Sequence, residues 1–376
     1  MFPEMIFQKK SPKLQWQEKC LMNCYKNSHE AEYDMQRNRI PNNQQLHQLM
    51  RDRSLRILER FRQIATAELT EPKLLAILAD VKKYWSDSHA AALFRPALTS
   101  FSCEAVGGKP EVAEEVGIMF ALASSGFGIH DDILDKSSSK HLRMTILGLH
   151  GVDGALLVGD LLIVKAWTFI NELIRKGHEL SKIADIAETY GKLSVEICEA
   201  EFMETLCRRR LCSTSYYQNI LWKAMAETEA CTRIGAIVGD GQKKEVEALA
   251  EFGRRIGFMS RLADDIEDCL NLKGDFLHRI EFESVPLPLL YAANSSRRKF
   301  HARIKGIIEK TPTPSNAEEL LKLCFETEAF EYTLNIARKN AKHAHCCLSS
   351  LKHSNARSAL SSMITSSCEH IDSLCV

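Results

Sequence analysis

Two short acidic segments carry the residues of this chain that are best suited to chemistry. The first reads His130-Asp131-Asp132-Ile133-Leu134-Asp135, and the second reads Ala263-Asp264-Asp265-Ile266-Glu267-Asp268. Both have the pattern D-D-x-x-D within sequence that predicts a helix, so positions i and i+4 share one face and i+1 lies beside them. Mg²⁺ prefers oxygen ligands and commonly completes its shell with water and substrate phosphates. Two such faces pointing at each other would hold a cluster of Mg²⁺ ions on a diphosphate.

The sequence around these motifs distinguishes a metal site from an ordinary solvated helix face. A single D-D-x-x-D is common on exposed helices, but two copies in one otherwise neutral chain are not. Both follow apolar helical sequence, namely Ile118, Phe120, Ala123 and Phe127 before the first and Ile256, Met259 and Leu262 before the second. Because carboxylates in apolar surroundings are costly unless they are neutralised, this context favours bound cations.

Length and composition indicate one large domain without a global charge preference. The chain has 376 residues, of which 45% are hydrophobic, and 49 basic side chains balance 49 acidic ones. This balance gives no indication of a nucleic acid or an anionic membrane as partner. Residues 1–45 are polar and rich in Asn, Gln and Lys, so we expect a loosely ordered extension there. Residues 46–376 are expected to form a single domain.

The proline distribution and the apolar spacing predict an all-α fold. Proline is absent between Pro110 and Pro286, so this long region can form successive helices without a breaker. Apolar residues recur at intervals of three and four, and alternating β patterns are nearly absent. We therefore predict a single large bundle of roughly ten or more helices, with junctions at glycine and serine clusters.

Targeting signals are not evident, and the cysteines suggest a reducing compartment. Residues 1–20 lack an apolar run and carry Lys9, Lys10 and Lys13 among their charged residues. The most hydrophobic run, residues 155–170, contains Asp160 and Lys165 and is shorter than a membrane-spanning helix requires. The thirteen cysteines are scattered, which is typical of reduced thiols. We predict a cytoplasmic protein with no transmembrane segment.

Several further segments give the sequence a family resemblance over roughly residues 50–310. They are Phe94-Arg95-Pro96, Cys103-Glu104-Ala105-Val106-Gly107-Gly108, Gly159-Asp160-Leu161-Leu162, Lys223 followed by Gly235-Ala236, and Pro288-Leu289-Leu290-Tyr291-Ala292. Together with the two acidic motifs, they resemble the trans-isoprenyl diphosphate synthase (polyprenyl synthetase) family, in a divergent archaeal-type branch. The resemblance implies a helical bundle of the isoprenoid synthase type with a central active-site cavity, and a homodimer.

The resemblance also implies a reaction on small prenyl diphosphates. The resemblance assigns this reaction to the carboxylates of the two motifs. They are expected to ligate three Mg²⁺ ions and to act in catalysis, and they are Asp131, Asp132, Asp135, Asp264, Asp265 and Asp268. The metals would serve as Lewis acids when the allylic C–O bond breaks. The double bond of isopentenyl diphosphate would then attack the allylic cation. No nucleophilic side chain is required.

Other positions are assigned roles around the substrate. Arg95, Lys140, Lys223 and Arg261 are candidate diphosphate-binding residues, because cationic side chains can neutralise charge on phosphate groups. The fifth and fourth residues before the first aspartate are expected to limit product length. At these positions Gly126 leaves space and Phe127 closes it, so we expect a product of medium length, C15 to C20.

The sequence departs from the family pattern chiefly around the second substrate. The G-K-x-x-R segment that binds isopentenyl diphosphate reads Ala91-Ala92-Leu93-Phe94-Arg95, and a family histidine falls at Ser124. Losing one charge-assisted contact costs about 1.5–3 kcal/mol, roughly tenfold to a hundredfold in affinity. The arginine pair after the first motif reads Lys140-His141. New donors follow near the second motif, namely Arg261, Lys273, His278 and Arg279.

Two alternative functions follow from these departures. A site that ionises an allylic diphosphate but holds the second substrate weakly could cyclise the first substrate, as a class I terpene synthase does. The second D-D-x-x-D argues against this alternative, because a dedicated cyclase more commonly carries an N-D-x-x-S-x-x-x-E motif. The other alternative is a non-catalytic subunit of a synthase. Such subunits typically lose motif aspartates, whereas all six are present here.

Overall fold

The structure is a computed structural model, and it describes residues 41–84, 90–140, 143–272, 275–295, 298–310 and 313–374. Helices account for nearly all regular structure in these ranges, so the predicted all-α class is confirmed. The first helices are α1 (Asn43–Ile64), α2 (Pro72–Tyr84), α3 (Ala90–Ala105), α4 (Pro110–Leu134) and α5 (Ile146–Arg175). The next are α6 (Leu180–Cys207), α7 (Thr214–Ala224), α8 (Ala226–Val238), α9 (Lys243–Leu270) and α10 (Asp275–Phe282). The last are α11 (Leu287–Ala293), α12 (Arg298–Ile308), α13 (Pro314–Glu326), α14 (Ala329–Ser349) and α15 (Asn355–Leu374).

Helices α4 and α9 form the centre of the bundle, and each carries one acidic motif in its C-terminal part. Most of α4 from Val116 to Gly126 is buried, and α9 is buried along most of its length. Helix α8 packs against both of them, while α3 and α5 cover other sides of α4, and α14 and α15 cover α9. Because the C-terminal end of a helix carries a partial negative charge, carboxylates there add to the demand for cations.

A short antiparallel hairpin is the only strand structure in the described part of the chain. It consists of β1 (Ser139–Lys140) and β2 (Arg143–Met144), with Ser139 opposite Met144 and Lys140 opposite Arg143. The hairpin connects α4 to α5. It therefore folds Lys140 back towards the end of α4, where the first motif lies.

The domain begins slightly before the predicted boundary at residue 46. Helix α1 starts at Asn43, and the Asn42 side chain accepts a hydrogen bond from the backbone of Gln45, whose side chain in turn accepts from Asn42 in a capping box. The prediction of a loosely ordered extension concerns mainly residues 1–40, which lie outside the described residues.

Two helices in the described part of the chain are long and apolar enough to cross a membrane by length and composition alone. They are α4 and α5, and the relevant segment is 72% buried in α4 but only 28% buried in α5. Length and composition alone do not establish a membrane span, and α5 is kinked at Gly151, so the expectation of no transmembrane segment stays a prediction. Burial within the bundle accounts for the apolar composition of α4. Helix α5 needs another explanation.

The outer sides of α5 and α6 together expose large apolar side chains. We call this surface the α5–α6 face, and its members are Leu149, Val152, Leu156, Leu157, Val164, Trp167 and Ile174 on α5 with Leu180, Val195, Phe202 and Leu206 on α6. Contiguous apolar surface of this extent typically marks a contact with another protein or with a membrane.

The cysteines agree with the prediction of reduced thiols at nine described positions. These are Cys103, Cys198, Cys207, Cys212, Cys231, Cys269, Cys324, Cys347 and Cys368. Cys346 is disulfide-bonded. The prediction is therefore wrong for Cys346.

Candidate active site

Lys140 neutralises the first two carboxylates of the first motif. Its Nζ lies 3.1 Å from Asp131 Oδ2 and 2.9 Å from Asp132 Oδ1. Burial disfavours the ammonium charge, but these two aspartates outweigh it and raise the pKa of Lys140. Lys140 thus lies where the sequence predicts Mg²⁺, and its predicted role in binding a diphosphate stays a prediction.

The third carboxylate of the first motif belongs to a wider acidic cluster. Asp135 is buried, and Arg208, which follows α6, lies 3.2 Å from its Oδ1. Burial, reinforced by the charges of Asp131 and Glu283, raises the pKa of Asp135 to about 9. Burial and Asp131 likewise raise the pKa of Glu201 on α6 to about 8. Both shifts arise first from burial and then from the charges of neighbouring carboxylates.

The second motif divides into solvent-facing and internal carboxylates. Asp264 is partly exposed, with its Oδ2 3.7 Å from an Arg261 guanidinium nitrogen. Asp268 Oδ2 accepts a 2.7 Å hydrogen bond from Arg279 on α10. Arg279 is one of the new donors that the sequence placed near this motif. Lys273 lies outside the described residues.

Asp265 is an internal anchor, and its position differs from the prediction of a metal ligand. It is 0% exposed. Its Oδ1 accepts hydrogen bonds of 2.9 Å from both the Tyr217 hydroxyl and Arg279, and its Oδ2 accepts one from the Leu287 backbone N–H. Both oxygens thus accept hydrogen bonds from protein donors, so Asp265 ties α9 to α7, α10 and α11.

The two motifs share one electrostatic environment. Burial opposes the charge of Asp131, but Lys140 and, to a smaller extent, Arg261 on α9 outweigh it and lower the pKa of Asp131. Arg261 also pairs with Asp264 in the second motif. A second link runs from Ser137, just after the first motif, to His278 on α10, with Oγ and Nε2 3.0 Å apart. Arg261 and the Ser137–His278 contact thus link the two motifs, and their arrangement around one shared space stays a prediction.

Arg95, a predicted diphosphate-binding residue, is engaged by a carboxylate of the protein. Its Nε donates a 2.7 Å hydrogen bond to Glu227 Oε2 at the start of α8. Ser124 on α4 donates its hydroxyl hydrogen to the other oxygen of Glu227. Burial opposes the charge of Arg95, but Glu227 outweighs it and raises the pKa of the guanidinium.

Lys223 is also paired. It ends α7, and its Nζ lies 2.6 Å from Glu199 Oε2 on α6. The Glu199 side chain is more than half exposed, so this pair is a weak surface interaction that a phosphate group could replace. The predicted role of Lys223 stays a prediction.

The expected space at Gly126 is filled by a neighbouring helix. A Cβ atom built on Gly126 would lie 2.6 Å from Ile163 Cγ1 and 2.7 Å from the Gly159 carbonyl oxygen on α5. Gly126 therefore permits close approach of α4 and α5, and the prediction that it opens a tunnel is wrong. Phe127 is half-buried and packs against the core. Its role as a wall stays a prediction.

The donor set fits divalent metal ions, although side chains would have to move. Among the described residues, no three carboxylate, histidine or cysteine groups are already arranged to hold an ion. Asp135 and Glu201 nevertheless lie near other carboxylates, whose charges add to burial in raising both pKa values. Buried Nε atoms of Arg208 and Arg261 have no hydrogen-bond partner. Carboxylates for a cation and donors for a phosphate thus occur together.

Some residues of the cluster had no sequence signal strong enough to select them. Glu201 and Glu204 lie on α6, Arg208 follows it, and Glu227 begins α8. Each is one charged residue among several on its helix. The i, i+3 spacing of Glu201 and Glu204 on a helix with an apolar side is the one pattern that could have indicated them.

An all-helical bundle whose two central helices carry D-D-x-x-D motifs defines the isoprenoid synthase class of fold. The sequence model of the family described as polyprenyl synthetase matches residues 76–324, and the chain belongs to that family. A short chain isoprenyl diphosphate synthase of Methanothermobacter thermautotrophicus is 29% identical over 272 residues, which cover 71% of this chain and 82% of that protein. One of Methanocaldococcus jannaschii is 32% identical over 145 residues, covering 38% and 42%. Both are archaeal, in agreement with the predicted branch.

Solved structures share the fold. Geranylgeranyl pyrophosphate synthetase from Pyrococcus horikoshii superimposes with a TM-score of 0.75 at 22% identity and covers 87% of this chain and 98% of its own. A polyprenyl synthase from Caulobacter crescentus, complexed with calcium and isoprenyl diphosphate, gives 0.67 at 20% identity, covering 85% and 97%. Similarity at this level establishes the isoprenoid synthase fold.

Proposed function

We propose that this protein is a trans-isoprenyl diphosphate synthase that joins an allylic diphosphate to isopentenyl diphosphate and yields a C15 to C20 product. The observation that carries the proposal is the pair of acidic motifs on the two central helices, with Arg261 acting on both. Family membership and relatives that carry short-chain and geranylgeranyl synthase names support it. The cytoplasmic location stays part of the same proposal.

Magnesium is the cofactor that this donor set suits, in the expected number of three ions. Hard divalent cations take carboxylate oxygens and leave positions for phosphate. The residues that would hold them are Asp131, Asp132, Asp135, Asp264 and Asp268. When bound, the ions supply Lewis-acid stabilisation of the departing diphosphate. Asp265 is left out of this set because its oxygens are already occupied.

The cations of the chain itself would position the allylic diphosphate. Arg261 has a buried Nε without a partner and lies beside Asp264, so it can donate to a phosphate oxygen without losing an existing bond at that atom. Lys140 lies between two metal-binding candidates and would exchange these contacts for phosphate. Lys223 would exchange its contact with exposed Glu199. Phe127 would bound the space for the prenyl tail.

A product assay tests the proposal. Purified protein with Mg²⁺ receives dimethylallyl, geranyl, farnesyl or geranylgeranyl diphosphate, each with and without isopentenyl diphosphate, and products are identified by mass. Longer diphosphates that form only with isopentenyl diphosphate support the synthase. The absence of any product, together with the absence of metal binding, favours the non-catalytic subunit and overturns the proposal.

A class I terpene synthase is the second candidate, and the Arg95–Glu227 pair favours it. This pair occupies the arginine that the second substrate would need. Hydrocarbons or alcohols that form from an allylic diphosphate alone would support this candidate in the same assay.

We propose further that the protein is a homodimer formed through the α5–α6 face. The apolar side chains of this face would be covered by the same face of a second copy, since symmetric dimers use one self-complementary patch. A membrane surface is the competing occupant.

A further inference from the structure

A largely buried ion pair links α3 to α8, away from the proposed metal-binding carboxylates. Glu227 has a side chain that is 10% exposed, and the Arg95 side chain is 31% exposed. Arg95 Nε and Glu227 Oε2 are 2.7 Å apart, and Ser124 donates to Glu227 Oε1. Three helices, α3, α4 and α8, thus converge on one carboxylate. Buried ion pairs contribute little net stability, so this pair invites a functional explanation.

The position of the pair relates it to the active site. Ser124 precedes Asp131 by seven residues, which is two helical turns, so both lie on one face of α4 about 10 Å apart along the axis. Arg95 is also within electrostatic reach of Asp264 in the second motif. The pair therefore lies beside the space that both motifs face, at a separation suitable for a second anionic group.

The chemistry of the pair disfavours such a group. A diphosphate is held by cations and hydrogen-bond donors, and an arginine is the side chain best shaped to offer two parallel donors to it. Here Glu227 accepts from Arg95 Nε and from the Ser124 hydroxyl, so it places a negative charge against the guanidinium and takes up one of its donors. An incoming diphosphate would be repelled by this charge.

We propose that Glu227 is a specificity-determining residue that neutralises Arg95 and keeps the affinity for the second, homoallylic diphosphate low. The inference rests on the proposed function, because it concerns the second substrate of that reaction. Glu227 acts through Arg95 and does not touch the reacting atoms. At low isopentenyl diphosphate, an allylic substrate would consequently ionise without a partner for condensation.

The test compares wild-type protein with Glu227→Gln. Glutamine keeps the shape and removes the negative charge: its carbonyl oxygen can accept from Arg95, and its amide nitrogen can donate to the Ser124 hydroxyl oxygen. We expect the KM for isopentenyl diphosphate to fall about tenfold, which corresponds to about 1.4 kcal/mol. The KM for the allylic diphosphate should stay within about twofold of wild type, a change of less than about 0.5 kcal/mol. Isothermal titration with isopentenyl diphosphate alone should show the same gain in affinity.

A double variant and a matched control test whether Glu227 acts through Arg95. Adding Arg95→Met to Glu227→Gln should abolish the gain, because no cation is then released. Glu104→Gln alters another carboxylate in an Arg–Glu pair, the one with Arg53 at 2.7 Å between α3 and α1, and should leave both KM values unchanged. Circular dichroism checks the fold of each variant.

The outcomes separate the inference from the proposed function. An unchanged KM for isopentenyl diphosphate in a folded Glu227→Gln protein that elongates its substrate overturns the inference and leaves the function standing. The absence of elongation in every variant, including Glu227→Gln, overturns the function itself. If Glu227→Gln does not fold, the affinities of the wild-type protein for the two diphosphates test the inference. Binding of isopentenyl diphosphate as tight as that of the allylic diphosphate would overturn the role of Glu227.

Discussion

At the scale of single residues, identical side chains in one motif have different roles. Asp264 and Asp265 are neighbours in sequence, yet Asp264 is partly exposed and Asp265 is fully enclosed by Tyr217, Arg279 and the Leu287 backbone. The helical rotation of about 100° between adjacent residues turns one towards the cavity and the other into the bundle. Mutations should therefore separate catalysis from stability.

Removing a cavity-facing carboxylate should abolish turnover without unfolding the protein. We expect Asp131→Ala and Asp264→Ala to reduce kcat at least a hundredfold, the usual scale for losing a group that stabilises charge in the transition state. Steady-state kinetics measures the loss, and circular dichroism should show unchanged helicity. Wild-type rates in both variants would remove these residues from the site.

Removing the internal carboxylate should instead destabilise the fold. Asp265→Ala removes one of the two aspartates that pair with the Arg279 guanidinium, which is only 3% exposed. We expect a loss of about 3–5 kcal/mol in the free energy of unfolding, as for other broken buried pairs. Urea unfolding measures it. Asp264→Ala is the matched control and should change stability much less, so equal losses in both variants would contradict the distinction.

The sequence predicts the six aspartates and their helical setting because spacing is visible in one dimension. It does not predict which of them are internal. The enclosure of Asp265 depends on Tyr217, 48 residues earlier, and on Leu287, 22 residues later. No local pattern encodes these contacts. The same holds for Glu227, which meets Arg95 across 132 residues of chain.

At the scale of helices, the packing of α4 against α5 decides what the first motif's helix can do. The proline-free sequence correctly predicts long helices here, but helix neighbours are not visible from periodicity. Gly126 consequently serves as a contact point, with Gly159 and Ile163 of α5 filling the space where its side chain would be.

Substitutions at two adjacent positions of α4 should therefore affect different properties, namely stability at Gly126 and product length at Phe127. Gly126→Leu should lower stability by about 1–3 kcal/mol through overpacking and should leave the product length unchanged. Phe127→Ala should lengthen the product by opening the space ahead of Asp131. Mass spectrometry of the extracted diphosphates measures chain length. Longer products from a folded Gly126→Leu protein would contradict the packing role.

At the scale of the whole molecule, the α5–α6 face is the surface through which we propose that the protein associates. Leu157 and Val164 on α5 are 64% and 57% exposed. An apolar surface of this kind is costly to leave in water, at roughly 25 cal/mol per Å². Association should therefore be favourable for the native chain and sensitive to charge on this face.

Charges on this face should dissociate the dimer. We expect Leu157→Glu with Val164→Glu to yield a monomer in sedimentation velocity experiments, whereas the wild type sediments as a dimer. Phe325→Glu replaces an apolar residue of similar exposure on α13 and should remain dimeric. A monomeric wild type that binds lipid vesicles, with binding lost in the double variant, would assign the face to a membrane.

Metal binding should stabilise the whole molecule. Adding Mg²⁺ at one hundred times its Kd should raise the free energy of unfolding by about 2.7 kcal/mol, because the ion binds only the folded cluster. Differential scanning calorimetry measures the resulting rise in Tm, and EDTA should reverse it. The rise should be lost in Asp131→Ala with Asp264→Ala. An equal rise in that variant would place the metal elsewhere.

Helix α6 takes part in both of these properties. Its inner side carries Glu201 and Glu204 in the acidic cluster, and its outer side carries Val195, Phe202 and Leu206. Packing of a second subunit against Phe202 would thus restrict the position of the adjacent Glu201 side chain. Turnover per subunit should then depend on protein concentration, falling as the enzyme is diluted and recovering when it is concentrated again.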